Sequence, residues 1–203
     1  MSRRVGAADV LASLGMDHDL AARTNRPGET AKVLVLCTGN AARSVMAGFM
    51  LERWAADAGT ALEVRTAGTH AVEGQPISMR TRAAIAAIEA LADVPATRHR
   101  SHQLTTADLD EADVVVAMET DHVRFVRRHH PTAASRTATL RRLCRDLSFG
   151  PLPLPERVAT LGLERVELAP SETVVDPAGG DYEDYEACAR ELWTLCGELV
   201  TRL

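Results

Sequence analysis

With 203 residues, 46% of them apolar and 25% charged, the chain is long enough to bury a substantial core and has the balance of an ordinary globular protein. No run of about 18 apolar residues occurs, which excludes a membrane-spanning helix, and no apolar stretch with a cleavage site follows Arg3 and Arg4, so export by a signal peptide is not expected. The net charge of -5 argues against general nucleic-acid binding.

Residues 1–30 read as an N-terminal extension. Val5 to Met16 has the pattern of a short amphipathic helix, and Arg23 to Thr30 is a polar linker broken at Pro27-Gly28. A domain is expected over 31–203. Its first element is the apolar run Val33 to Leu36, typical of a strand covered on both faces, followed by a turn and a helix from Arg43 to about Ala58. Leu62 to Thr66 alternates as a second strand and stops at Gly68. Ser78 to Leu91 is alanine-rich and helical, and Thr106 to Leu109 forms a short helical turn. A third strand covers Val114 to Met118, and a helix spans Thr120 to His130, closed by Pro131. A fourth strand is expected within Thr137 to Leu143. The proline-rich stretch 147–179 reads as loop, and a last helix runs from Tyr182 to Leu203. Strands alternating with helices predict an α/β fold: an open, four-stranded parallel sheet with helices on both faces. Ligands of such sheets bind beyond the carboxyl ends of the strands, where Cys37 stands.

The four cysteines, Cys37, Cys144, Cys188 and Cys196, show neither Cys-x-x-Cys pairing nor metal-ligand spacing with histidine, and read as reduced thiols of a cytoplasmic protein. Of these, Cys37 has the surroundings of a nucleophile. Residues 37–44 read C-T-G-N-A-A-R-S, placing an arginine and a serine within one turn of the thiol, between a strand and a helix. Gly39 is expected to permit the tight curve that turns backbone N–H groups inward, and the helix start adds its positive end. Arg43 can grip two phosphate oxygens at once. A free thiol of pKa ~8.5 is only a few per cent ionised at neutral pH, and full ionisation requires roughly 4 kcal/mol of stabilisation. A helix terminus supplies at most about 2 kcal/mol, so Arg43, the loop amides and Ser44 are expected to supply the rest.

The stretch V-L-V-L-C-T-G-N-A-A-R-S resembles the signature of low-molecular-weight protein-tyrosine phosphatases. The likeness continues in Thr66-Ala67-Gly68-Thr69, in His99 to Thr105, in Ala117-Met118-Glu119 and in Asp176-Pro177-Ala178-Gly179-Gly180, covering residues 32–203 in the family's order. The resemblance implies a flavodoxin-like three-layer sandwich. It also implies hydrolysis of phosphotyrosine, or of small aryl phosphates, through a cysteinyl-phosphate on Cys37, with a tyrosine kinase as the cognate partner. Thr38, Gly39, Asn40, Ala41, Ala42, Arg43 and Ser44 would cradle the phosphate. Asp176 would be the general acid and base, and Asn40, Ser44, Thr66 and His99 would hold the loop. No metal or organic cofactor is called for, nor any membrane or nucleic-acid partner. A free aspartate is only about 0.1% protonated at neutral pH, so a mildly acidic optimum is expected.

Departures from the family pattern concern the walls and the redox chemistry. Ala42 stands where many members carry a second cysteine, and Ala178 where many carry an aromatic ring. The chain has only seven aromatics, Phe49, Trp54, Phe125, Phe149, Tyr182, Tyr185 and Trp193, and none lies between Gly68 and Pro76. Tyr182 and Tyr185 are expected to open the last helix. Two other readings keep the same cradle: an arsenate reductase coupled to a small external thiol, and a phosphate-binding module without turnover.

Overall fold

The computed structural model describes residues 30–203. The expected helix at 5–16 and all but the last residue of the linker at 23–30 lie outside the described residues. Strand β1 (Ala31–Cys37) is central, because its apolar run has no polar face to offer solvent; only Lys32 is exposed. Val33, Val35 and Cys37 enter one core, and Leu34 and Leu36 enter the other. Strands β2 (Leu62–Gly68), β3 (Val114–Ala117) and β4 (Thr137–Thr139) complete a sheet of order β2-β1-β3-β4. All neighbours are parallel, with Cys37 opposite Gly68 and Leu36 opposite Ala117. The open parallel sheet expected from the alternating pattern is therefore present, and its order reverses at β1, which places Cys37 at a switch point.

Helix α1 (Arg43–Ala58) coincides with the expected span and ends at Gly59, whose φ of 68° takes the left-handed conformation that closes helices. It packs on the last helix, α7 (Tyr182–Val200), where the Trp54 indole N–H donates to the Trp193 carbonyl at 3.1 Å. Between them α2 (Met79–Ala86), α3 (Thr106–Glu111) and α4 (Thr120–His129) follow the predicted order. The Ser78–Leu91 helix is shorter than expected: Ile88 is extended, and a separate 3-10 turn, Glu89–Leu91, buries Leu91. The last helix stops at Val200, three residues early.

Two expectations are corrected. The fourth strand keeps only Thr137–Thr139, and the chain then turns into α5 (Leu140–Asp146). Thr139 Oγ1 accepts from the Arg142 N–H at 3.2 Å, and Leu140, Leu143, Cys144 and Leu147 fall at helical spacing towards the core. The stretch 147–179 is not all loop. It holds α6 (Leu154–Ala159), with Pro153 as its N-cap and Pro155 in its first turn, where a missing N–H costs nothing, and a 3-10 turn, Pro170–Glu172. Arg157, 1% exposed, pins this segment by donating to the carbonyls of Leu152, Ser148 and Leu203 at 2.9, 3.0 and 3.1 Å. Among the described residues no helix is long and apolar enough to cross a membrane.

Candidate active site

Beyond β1 the chain curls through Thr38 to Ala42 before entering α1. The turn needs one residue in the left-handed region, and that residue is Asn40, with φ 48°, rather than Gly39. A Cβ on Gly39 would meet nothing nearer than 4.0 Å, which corrects the expectation that Gly39 permits the curve. The glycine that the curve does require is Gly68, across the sheet from Cys37. A Cβ there would stand 2.6 Å from the Thr38 carbonyl and 2.8 Å from the Asn40 nitrogen.

Asn40 is buried and fully bonded. The His102 N–H donates to Asn40 Oδ1 at 2.9 Å, which fixes the amide's orientation, so Nδ2 donates to Ser44 Oγ at 3.0 Å and to Thr66 Oγ1 at 2.9 Å. Ser44 Oγ, already an acceptor, keeps its own proton for Cys37 Sγ, 3.0 Å away. The Asn40 carbonyl accepts from Ser101 Oγ at 2.8 Å and from His99 Nε2 at 3.0 Å, so His99 carries its proton on Nε2. Burial lowers the His99 pKa and favours that neutral form. The structure thus brings Asn40, Ser44, Thr66 and His99 around the Cys37 loop. Ser101 and the His102 backbone, which no local sequence signal marks, join them.

The α1 N-terminus begins at Ala42, has no side-chain cap and carries no acidic residue in its first turn, whereas α2, α3, α5 and α7 are capped by Ser78, Thr105, Thr139 and Asp181. Its free N–H groups are therefore available to an anion. Arg43 is only 1% exposed, and a buried charge requires partners. Its Nη1 donates to the Val174 carbonyl at 3.1 Å and lies 3.3 Å from Glu119 Oε2; its Nη2 donates to Asp176 Oδ2 at 2.5 Å. Asp176 is delivered to this point from 133 residues away because the Val174 N–H pairs with the Met118 carbonyl at the end of β3. Asp176 Oδ1 accepts from the Ala178 N–H at 3.0 Å, closing the Asp-Pro turn.

His122, unremarked in the sequence, is 2% exposed beneath this cluster. Its Nε2 lies 3.1 Å from both Thr38 Oγ1 and Glu119 Oε1, and its Nδ1 has no partner among the described residues. Burial, with the Arg43 charge second, pushes the His122 pKa down to about 3. The ring is therefore neutral and donates from Nε2. Cys144, Cys188 and Cys196 are all buried and free. Burial pushes Cys144 and Cys188 up to about 12 and Cys196 well above its ordinary value, so all three stay protonated at neutral pH.

Residues 32–151 match the model of the low molecular weight phosphotyrosine protein phosphatases. The chain belongs to this family. Its relatives include a protein-arginine-phosphatase of Geobacillus stearothermophilus, 29% identical over 85% of this chain and 95% of the relative. A low molecular weight protein-tyrosine-phosphatase of Streptomyces coelicolor is 32% identical over 63% of this chain and 77% of its own. Among solved structures, a low molecular weight protein tyrosine phosphatase from T. tengcongensis superposes with a TM-score of 0.68 at 27% identity, covering 86% of this chain and all of that one. The protein is thus a phosphatase by family, and the family-model match ends before Asp176.

Two grooves of about 470 Å³ each border the site of this family member. One runs from Thr38 and Glu119 past His122 and Phe125 to Arg124 and Arg128. The other runs from Asp176 and Ala178 past Asp184 and Cys188 to Glu191. Of the two tyrosines that open α7, Tyr185 is in the core and Tyr182 is exposed. The first groove instead contains Phe125, flanked by His70 at 5.4 Å and His129 at 4.6 Å.

Proposed function

We propose that the protein hydrolyses phosphorylated side chains of proteins through a cysteinyl-phosphate on Cys37. The observation that carries this reading is the meeting of Cys37, Arg43 and Asp176 in one site, with Asp176 bonded directly to Arg43. The Cys37 thiolate attacks phosphorus in line; the S–P bond forms as the bond to the leaving atom breaks. The incoming phosphate takes Nη2 of Arg43 from Asp176, and the freed carboxylate takes up a proton from solvent and gives it to the leaving atom. Water then attacks the phosphoenzyme, its proton returns to Asp176, the S–P bond breaks, and inorganic phosphate departs. Arg43, the loop amides of 38–44 and the α1 N-terminus hold the equatorial oxygens throughout. Asn40, Ser44, Thr66 and His99 keep the loop curved.

Phosphotyrosine is the substrate that the family description supports. A second reading, phosphoarginine, is favoured by the Geobacillus relative and by Ala178, which offers a substrate ring no stacking partner on the Asp176 side. In that case the bond broken is P–N, and Asp176 protonates the departing guanidine nitrogen. The decisive experiment measures phosphate release from p-nitrophenyl phosphate, phosphotyrosine peptides and phosphoarginine peptides, with native protein and Cys37→Ser. Native protein releases phosphate and Cys37→Ser does not; turnover that survives the substitution overturns the reading. The ratio of phosphotyrosine to phosphoarginine turnover decides between the two substrates.

A further inference from the structure

The groove that leaves Thr38 has a charge pattern that dephosphorylation alone does not use. Its floor and far wall are one face of α4: positions 121, 122, 124, 125, 128 and 129 recur at helical spacing. Along the helix axis this face is about 12 Å long, the length of three to four residues of extended chain. Two carboxylates line it, and both are occupied. Glu119 is held by Arg43 and His122, and Asp121 by Arg124 at 2.6 Å. Arg128 is exposed, lines the groove and has no ion pair or hydrogen bond among the described residues. His70 and His129, both exposed, flank Phe125 beside it. Arg128 is therefore the one formal charge of the groove lining without a partner among the described residues, and the groove begins at Thr38, next to the nucleophile.

We propose that this groove is a substrate subsite, in which Arg128 receives an aspartate or glutamate side chain of the substrate protein flanking the phosphorylated residue. The inference rests on the proposed phosphatase reading and adds to it a preference for acidic sequence context. Phe125 supplies the flat apolar wall against which the extended substrate backbone lies, and Arg124, with Asp121, forms its neutral outer edge. An exposed arginine–carboxylate pair gives about 2- to 5-fold in affinity, and the gain falls as salt screens it.

The test uses Cys37→Ala, which has no nucleophile to take the phosphoryl group, and fluorescent phosphotyrosine and phosphoarginine peptides whose three residues on either side are all glutamate or all glutamine. Glutamate peptides are expected to bind about 5-fold more tightly at low salt, with the ratio approaching one at high salt. Adding Arg128→Glu brings the ratio to one or inverts it, and adding Arg128→Lys retains it. Because each ratio compares two peptides on one protein, a variant with poorer folding cannot imitate the result. Equal binding of the two peptides, no binding of either, or a ratio that Arg128→Glu leaves intact overturns the proposal. A phosphoserine flank that binds tightly where glutamate does not also overturns it, since the subsite would then be a phosphate site. Failure of the native enzyme on every phosphorylated substrate sinks the phosphatase reading instead, and is read in a separate assay.

Discussion

The groove that leaves Thr38 and the groove that leaves Asp176 lie on either side of Arg43, have about the same volume and differ in charge: the first balances Glu119 and Asp121 with Arg124 and Arg128, whereas the second holds carboxylates alone. The first is built on α4 and adds histidines and a phenylalanine to those ion-paired groups; the second is built on the Asp-Pro turn and the start of α7, and holds Asp176, Asp184 and Glu191 with no ring. The two carboxylates on Arg43 divide along the same line. Glu119 is tied down by His122 and Arg43, whereas Asp176, bonded to Arg43 alone among the cations, is 38% exposed. In the proposed mechanism the difference separates the work of the site: the Asp176 side moves protons, and the Thr38 side holds still.

The largest effect should come from breaking that division on its mobile side. Asp176→Ala removes the proposed proton donor and is expected to lower kcat by about 10²- to 10⁴-fold for a phenyl phosphate with a poor leaving group, and by less for p-nitrophenyl phosphate. An equal loss on both esters would show that Asp176 acts through Arg43 and not as an acid. Next comes the support shared by both grooves. Gly68→Ala drives a methyl group into the backbone of Thr38 and Asn40, and a displacement approaching 1 Å is expected to cost about 10²-fold in kcat/KM. The check is activity on p-nitrophenyl phosphate beside a circular dichroism melt. Unchanged activity in a folded variant would mean that the loop tolerates the shift.

What the sequence disclosed follows from how far apart the cooperating groups lie. Cys37, Arg43 and Ser44 sit within one strand, turn and helix, so their proximity could be read from consecutive residues. Asn40, Thr66 and His99 were reachable only through resemblance to a family, because their bonds cross between segments. Ser101, the His102 backbone and His122 act across 61 to 84 residues of chain, and nothing in local spacing marks them. Gly39 looked like the flexible position because glycine usually is, yet asparagine, which tolerates the left-handed region, takes that place with its amide and carbonyl bonded on all sides. The errors at 137–143 and 147–179 have one origin. Threonine at 139 and prolines at 153 and 155 read as strand and loop residues, but at those positions they serve as helix caps and first-turn residues.

The static side can be tested through His122. In the folded chain its pKa is held down to about 3, while in the unfolded chain it titrates near 6.5. As pH falls below about 6.5 the unfolded state takes up this proton first, so stability is lost progressively until the folded pKa is reached. Between pH 7 and pH 5 the loss amounts to roughly 2 kcal/mol. Urea unfolding at the two pH values should show this fall in the native protein and a smaller one in His122→Gln. Equal falls would mean that burial and the Arg43 charge do not hold the ring neutral.

The smallest effect sharpens the comparison by making the two grooves alike. Ala178 is exposed and bonds Asp176 only through its backbone N–H, so a larger side chain leaves the acid in place. Ala178→Tyr gives the Asp176 side the ring that it lacks. Aromatic stacking contributes about 0.5–1.5 kcal/mol, so KM for a phosphotyrosine peptide is expected to fall roughly 2- to 10-fold with kcat nearly unchanged. Phosphoarginine peptides, which present no aryl ring to stack, should gain less. A variant that improves neither substrate would show that the substrate side chain leaves the loop along the Thr38 groove, against Phe125, and that this groove already supplies its wall.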